Sequence, residues 1–260
     1  MVPSVRRFPA EGTARARGRS SWTRSPGTVL VRLRAAIKEY HALRPLRVQH
    51  LDLHAGQSLA LLGFDLAMSE VFVNLVTGAQ LPDSGEVCVF GRPTTAIADA
   101  TDWVTILDQF GLVSERAVLV EQFTVEQNLA MPLSLEISDL SSTLRSHVRA
   151  IAVEESLPAD VLAQPTGALS AAARLRLRLG RALAARPRVL LAEHPNAAIP
   201  ADDAPSFAAD LARVVAGRRL SCVVLTADRT FASAVADEVL TLEPASGVLK
   251  RARGWRSWFT

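Results

Sequence analysis

The fold of this chain is decided by residues 57–78, which read QSLALLGFDLAMSEVFVNLVTG. The apolar run Gln57–Leu62 is typical of a strand that is buried on both faces. After Gly63, the segment Leu66–Val76 carries apolar residues at helical spacing. Thr77-Gly78 ends this helix, with glycine in the usual C-terminal cap position. These residues therefore predict a buried strand, a glycine turn and an amphipathic helix.

The rest of the chain alternates between strand-like and helix-like segments. Further strands are predicted at Thr28–Lys38, Gly85–Gly91, Val189–Ala192, Leu220–Thr226 and Val239–Leu242. Helices are predicted at 139–165, at Ser170–Ala185 with Ser170 as its N-cap, and at Asp202–Ala216. Because strands alternate with helices, the pattern favours an α/β fold with a largely parallel core sheet.

The composition excludes several classes of protein. Hydrophobic residues make up 49% of the 260 residues and the net charge is +3, so the chain can bury a core but lacks the basic face of a nucleic-acid-binding protein. No apolar run approaches the roughly 18 residues that cross a bilayer. Arg6-Arg7 is not followed by the apolar region of an export signal. Cys88 and Cys222 lie in apolar strand-like runs, so we expect buried, reduced thiols in a cytosolic protein.

The two ends differ in composition from the part between them. Residues 1–27 are rich in Arg, Ser, Pro and Gly, and we expect a disordered basic tail. Residues 251–260 form a basic and aromatic C-terminal tail. This tail either contacts a membrane surface or a partner, or, as we prefer, folds its aromatic side chains onto the domain. Residues 28–250 are predicted to form one domain between the tails.

Six short sequence motifs follow one another along this domain. They are Ala55-Gly56-Gln57 with Leu59–Gly63, Leu81–Val87 with Phe90-Gly91, Thr124–Leu133, Leu169-Ser170 with Gly180–Ala184, Pro187–Ala192 with Pro195, and Val223–Asp228. In this order they resemble motifs of the ATP-binding-cassette (ABC) ATPase domain: the strand before the phosphate loop, the hairpin after the first helix, the entry to the helical subdomain, the signature helix, the Walker B strand and the switch-histidine strand. The resemblance implies a P-loop NTPase-like ABC ATPase fold with a mostly parallel core sheet, an antiparallel β subdomain and a helical subdomain at about residues 115–180.

The phosphate loop is where the chain departs most from that family. Its chemistry needs G-x-x-x-x-G-K-[ST], in which the lysine neutralises phosphate oxygens and the hydroxyl holds Mg²⁺. Here only Gly63 survives, Ser69 stands in place of the lysine, and Glu70 stands in place of the hydroxyl. A carboxylate about 4 Å from a phosphate repels it by up to ~4 kcal/mol, which outweighs the ~0.3–2 kcal/mol of a helix dipole. We favour a structural role, in which Asp65 or Ser69 caps the helix and Glu70 lies in its first turn.

The metal-contacting and signature positions are altered as well. Glu115 replaces the glutamine that, by the resemblance, helps to ligate the metal, although nearby Gln109 is an alternative match. The signature begins with Leu169 and Ser170, but Ala171-Ala172-Ala173 replaces the following glycines and polar residue. The resemblance therefore places the methyl groups of Ala171 and Ala172 where a partner's γ-phosphate must approach bare backbone.

The catalytic positions are altered too. Glu193 and His194 replace the metal-orienting aspartate and the water-activating glutamate, and Ala227 replaces the switch histidine. His194 as a general base is the less favoured hypothesis; a locally hydrogen-bonded histidine at a strand end is preferred. Tyr40 matches the aromatic residue that stacks on adenine, and stacking and simple packing are weighed evenly. Hydrolysis is therefore predicted to be absent or very weak.

Three functions compete at this point. The preferred hypothesis is a non-hydrolysing structural or regulatory cassette that needs no cofactor, binds no nucleic acid, and docks on a transmembrane permease or a second cassette. It would be cytoplasmic, at the inner face of the membrane through its partner, and its motivation is the intact-looking segment Val118–Glu136. The alternative is a functional ABC-type ATPase that uses ATP and Mg²⁺ to energise transport of an unknown substrate. A third possibility is a cation-binding module in which Asp65, Glu70, Glu115 and Glu193 converge.

Overall fold

The computed structural model describes residues 27–251, in which two sheets are joined by seven α-helices. The strands are β1 (Val29–Lys38), β2 (Leu46–His54), β3 (Ser58–Leu62), β4 (Ser84–Val89), β5 (Arg92–Pro93), β6 (Phe110–Val113), β7 (Val189–Glu193), β8 (Ser221–Leu225), β9 (Glu238–Glu243) and β10 (Val248–Arg251). The helices are α1 (Leu66–Thr77), α2 (Ala100–Leu107), α3 (Val125–Ala130), α4 (Ser142–Glu154), α5 (Ala171–Ala184), α6 (Ala204–Arg218) and α7 (Arg229–Val235).

The larger sheet is the core of the molecule. Its strand order is β10-β9-β3-β8-β7-β6, and every neighbouring pair is parallel except β10 with β9. All residues of β3, β7 and β8 are buried, as expected of strands covered on both faces. The predicted largely parallel core sheet is therefore confirmed.

The smaller sheet is antiparallel, with the order β2-β1-β4-β5. Helix α1 packs between the two sheets, because one hydrophobic cluster contains Leu33 of β1, Leu61 of β3 and the fully buried Phe72 of α1. The rings of Phe64 and Phe72 meet edge to face with centroids 5.5 Å apart. The end of β3 and the start of α1 are therefore packed between the larger and the smaller sheet.

The helical unit has a core of its own. Helices α3, α4 and α5 share a hydrophobic cluster that includes Leu129, Val148 and Leu177. Residues 139–165 do not form one helix, however, because α4 ends at Glu154 and Ser156 adopts a positive φ of 55°. A left-handed backbone residue stops a right-handed helix.

Several smaller predictions are refined by the structure. Helix α6 is shifted two residues towards the C-terminus relative to Asp202–Ala216, with a proline in its first turn. Cys222 is buried as expected but Cys88 is only half-buried, and both thiols are free. Burial raises the pKa of Cys222 to about 12.

The ends of the described chain bear on three further predictions. Arg251 is the last residue of β10, so the predicted C-terminal tail starts too early by one residue. The expectations for a basic N-terminal tail and for the aromatic residues after Arg251 lie outside the described residues. Between residues 27 and 251, no helix combines the length and the apolar composition that crossing a bilayer requires.

Candidate functional site

The turn between β3 and α1 spans only residues 63–65 and is built around Gly63. Gly63 has a φ of 86°, and a Cβ there would lie 3.0 Å from the carbonyl oxygen of Leu242. Asp65 is the N-cap of α1, and its Oδ1 accepts a hydrogen bond of 2.8 Å from the amide of Met68. Asp65, and not Ser69, is therefore the helix cap. Glu70 is the fifth helical residue, so the expectation that it lies in the first turn is wrong.

Ser69 faces the interior, where its hydroxyl is already bound. The residue is 1% exposed, and Ser69 Oγ shares a hydrogen bond of 2.8 Å with Nε2 of His194. His194 follows β7 directly with a φ of 42°, and its amide donates to the carbonyl oxygen of Leu225. The prediction of a locally bonded histidine side chain is wrong, because the carboxyl ends of parallel strands meet at one edge of the sheet and bring distant residues together.

The centre of the site is Arg116, which the sequence analysis did not single out. Its Nε donates to Oε2 of Glu193 over 3.1 Å, its Nη2 also bonds Glu193, and its Nη1 lies 3.2 Å from Oε1 of Glu70. Ser114 Oγ donates to the same Glu193 oxygen over 2.5 Å. The hydrogen bond that Arg116 donates to Glu193 raises the pKa of Arg116, so the guanidinium keeps its charge. One cation thus ties α1 to the end of β7.

A signal for this cation exists in the sequence. Arg116 follows β6 by three residues, and β6 lies beside β7 with Val113 opposite Ala192. A basic residue just past the carboxyl end of one strand can reach an acid at the end of its parallel neighbour. We attribute the omission to the resemblance, which directs attention to the glutamine position one residue earlier.

Glu115 points away from this centre. Its carboxylate pairs with Arg178 of α5, with Nη1–Oε1 and Nη2–Oε2 distances of 2.6 and 3.2 Å. Gln109 lies before β6, at the opposite end of that strand, where Arg188 donates to its side-chain oxygen. Glu115 therefore lies just past the carboxyl end of β6, near the end of β7, whereas Gln109 lies at the other end of that strand.

The four carboxylates of the cation hypothesis do not converge. Asp65 caps a helix, Glu70 and Glu193 share Arg116, and Glu115 faces Arg178. Within residues 27–251, no group of three or more potential ligands could hold a metal ion. A bound cation would have to displace a guanidinium from both of its partners, so the geometry gives the cation-binding module no support.

The signature helix begins as predicted. Ser170 is the N-cap of α5, its Oγ accepting from the amide of Ala173 over 3.2 Å, and Leu169 is buried beneath it. Ala171 is half-buried, whereas Ala172 is only 8% exposed and belongs to a core cluster. Of the two methyl groups expected to face a partner, that of Ala172 is turned inwards.

The remaining predicted positions carry little chemistry. Ala227 is exposed after β8, next to Thr226, whose buried hydroxyl donates to Oδ1 of Asn196 over 2.8 Å. Tyr40 is half-buried against the core cluster of α1. Burial and the nearby charge of Asp65 raise the pKa of Tyr40. The tyrosine ring therefore lies beside the start of α1, in a place that both packing and stacking would use.

Comparison with known proteins identifies the family. The family model described as ABC transporter matches residues 46–197, more than half of the chain. This chain belongs to the ABC transporter family. It is 28% identical over 74% of its length to the lipoprotein-releasing system ATP-binding protein LolD of Psychrobacter arcticus, covering 84% of that protein. It is 27% identical over 81% of its length to the methionine import ATP-binding protein MetN 2 of Pseudomonas aeruginosa, covering 61% of that protein.

Solved ABC cassettes share its fold. The dimeric structure of MJ0796, a bacterial ABC transporter cassette, matches 87% of this chain and all of its own with a TM-score of 0.72 at 20% identity. The structure of cbiO1 from Clostridium perfringens, part of the ABC transporter complex cbiONQ, gives 0.69 at 15% identity, covering 85% of this chain and 87% of its own. The ABC ATPase fold expected from the motifs is therefore confirmed.

Proposed function

We propose that this chain is a non-hydrolysing cassette subunit, which keeps the ABC fold for assembly and has no turnover of its own. The observation that carries the proposal is the double role of Arg116, which binds Glu70 and Glu193 simultaneously. The resemblance places these two residues at the two Mg²⁺-handling positions of a working site. A single guanidinium thus engages both carboxylates, and neither position is free to hold a metal ion.

The phosphate loop supports the same proposal. A triphosphate needs a flexible cation at the lysine position, whereas Ser69 is neutral, buried and bonded to His194. Breaking that bond would leave the buried hydroxyl of Ser69 without a partner, at about 1–3 kcal/mol. Nucleotide binding is therefore disfavoured mainly because Ser69 already has a hydrogen-bond partner. The repulsion by Glu70 that the sequence predicts is weaker, because Arg116 pairs with that carboxylate.

The docking surface that this function needs is well built. Thr124 and Gln127 form a reciprocal capping box at the start of α3. Asn128 is fully buried, its Oδ1 accepting from the amide of Val120 and its Nδ2 donating to Oγ1 of Thr166 over 2.9 Å. These bonds fix the segment 118–136. Two large apolar side chains on it, Val118 and Leu135, are exposed, and we assign them to contact with a transmembrane permease subunit or a second cassette.

Such a partner would hold the chain at the inner face of a membrane. The named relatives are ATP-binding proteins of import and release systems, which supports a place for this chain in a transport complex. Co-purification from detergent-solubilised membranes tests the docking. We expect a permease subunit or a second cassette to accompany the full chain and to be lost with Val118→Asp plus Leu135→Asp. A lone monomer that behaves identically in both forms would refute it.

The nucleotide prediction is tested by calorimetry with MgATP. We expect no heat of binding at nucleotide concentrations up to about 1 mM, the weak end of ordinary affinities. The alternative, a competent ATPase that energises transport, draws support from the names of the relatives, which are ATP-binding proteins. Saturable, Mg²⁺-dependent binding in the micromolar range would favour that alternative and contradict our proposal.

A further inference from the structure

A buried carboxylate lies far from the nucleotide region. Glu155 follows α4 as its C-cap and is fully buried, yet neither of its carboxylate oxygens has a hydrogen-bond partner within residues 27–251. Buried acids are normally paired, because an unpaired ionised group loses its hydration without compensation. The fold places an acid where only its neutral form is tolerated.

The fold also makes room for this side chain. Gly180 of α5 faces it, and a Cβ on Gly180 would lie 3.4 Å from Cγ of Glu155 and 2.8 Å from Cδ2 of Leu129. Any larger residue at position 180 would push against this packing. Glu155 therefore lies at the contact of α4 with α5, in the middle of the helical unit.

Charged side chains surround Glu155, but they form hydrogen bonds with one another and not with the Glu155 carboxylate. On α4, Glu154 binds Arg218 of α6, whose Nε lies 2.7 Å from Oε1. Arg213 of α6 donates to the carbonyl oxygen of Glu154 over 2.6 Å and to Asp210 over 3.2 Å. Asp210 also accepts from Arg176 of α5, over 3.0 and 2.9 Å.

These groups form what we call the α4–α6 junction: Glu154, Glu155, Arg176, Asp210, Arg213 and Arg218. The junction fastens the helical unit to α6, which packs on the core sheet. Burial and the neighbouring charge of Glu154 raise the pKa of Glu155 to about 8. The charges of Arg218 and Arg213 lower this pKa by less, and the charge of Asp210 raises it further.

We propose that the α4–α6 junction is a proton-operated catch, in which neutral Glu155 keeps the end of α4 seated on α5 and α6. Loss of the proton to solvent leaves a charge that the site cannot hold. The carboxylate then moves out towards water and the arginines of α6, and the end of α4 loosens from the core. The catch depends on neither nucleotide nor partner.

The sign of the pH effect follows from the direction of the shift. The folded protein holds the proton more tightly than the unfolded chain, so Glu155 makes folding less favourable as pH rises from its unfolded value towards its folded value. His147 acts in the opposite sense, because burial lowers its pKa, but its effect is complete above its unfolded value of 6.5. The interval from pH 6.5 to 8 therefore reports on Glu155.

Hydrogen exchange of the full chain at pH 6 and pH 9, corrected for intrinsic rates, tests the catch. We expect amide protection in the last turns of α4 to fall at least about tenfold at pH 9. Glu155→Gln should remove the difference, and the matched control Glu136→Gln, on an exposed side chain, should retain it. Unchanged protection in the parent protein, or an undiminished loss in Glu155→Gln, would overturn the proposal.

A second measurement covers the case in which Glu155→Gln does not fold. Urea unfolding of the unmodified chain between pH 6.5 and 8 should show the unfolding equilibrium constant rising by up to about tenfold per pH unit. A constant that stays level or falls over this interval would equally overturn the catch.

Discussion

Removal of Arg116 is the sharpest test of the site. The Glu193 side chain is 7% exposed and receives two hydrogen bonds from a guanidinium that is 37% exposed. Stripping one partner from a fully buried ion pair costs about 3–5 kcal/mol. Because water reaches the arginine, we expect Arg116→Ala to lower the free energy of unfolding by about 2–3 kcal/mol. The half-exposed Glu70 adds less than about 1 kcal/mol.

A double-mutant cycle separates this pairing from lost packing. Glu193→Gln is combined with Arg116→Ala, and urea denaturation gives the free energy of unfolding of each variant. The coupling energy should be about 2 kcal/mol, because the second change removes the charge that the first leaves unpaired. The matched control is Arg145→Ala with Glu126→Gln, a 3.4 Å pair in which the arginine is 42% exposed. Its coupling should stay below about 1 kcal/mol. Equal coupling in the two cycles would show that Arg116 is an ordinary surface arginine.

Three further predictions concern stability and are all measured by urea denaturation. Asn128→Ala should lower the free energy of unfolding by about 3 kcal/mol, because it leaves partly buried backbone groups of Val120 and the buried hydroxyl of Thr166 without partners; a loss under 1 kcal/mol would contradict the assigned hydrogen bonds. Asp65→Ala should cost about 1 kcal/mol and Asp65→Ser much less, since serine also caps helices; equal losses would argue against capping. Gly63→Ala should cost about 1–3 kcal/mol through its positive φ and the close carbonyl of Leu242; a neutral result would place that backbone elsewhere.

The sequence predicts the framework well because the framework is locally encoded. The apolar run before Gly63, the helix after it and the Ser170 cap each depend on residues a few positions apart. The parallel order of the core strands follows from their alternation with helices. The end of α4 at Glu154 cannot be predicted from the spacing of apolar residues, because that spacing does not reveal the positive φ of Ser156.

The chemistry of the site was harder to predict because its contacts span long stretches of chain. Arg116 meets Glu70 and Glu193 at separations of 46 and 77 residues, and Ser69 meets His194 at 125. A position-by-position comparison with a family pattern shows which residues are replaced, but it does not show which residues contact one another. Such a comparison identifies the missing lysine, but it does not reveal that Arg116, in the turn after β6, is paired with the carboxylate of Glu70.

The Arg116 bridge also limits which single substitutions this site can accept. Ser69→Lys alone would place a long charged side chain at a position that is 1% exposed, and it would lose the bond to His194. Loss of Arg116 alone would strand a buried acid. Each single change is therefore unfavourable without the other, and the charge pattern of this site can change only through coordinated substitutions.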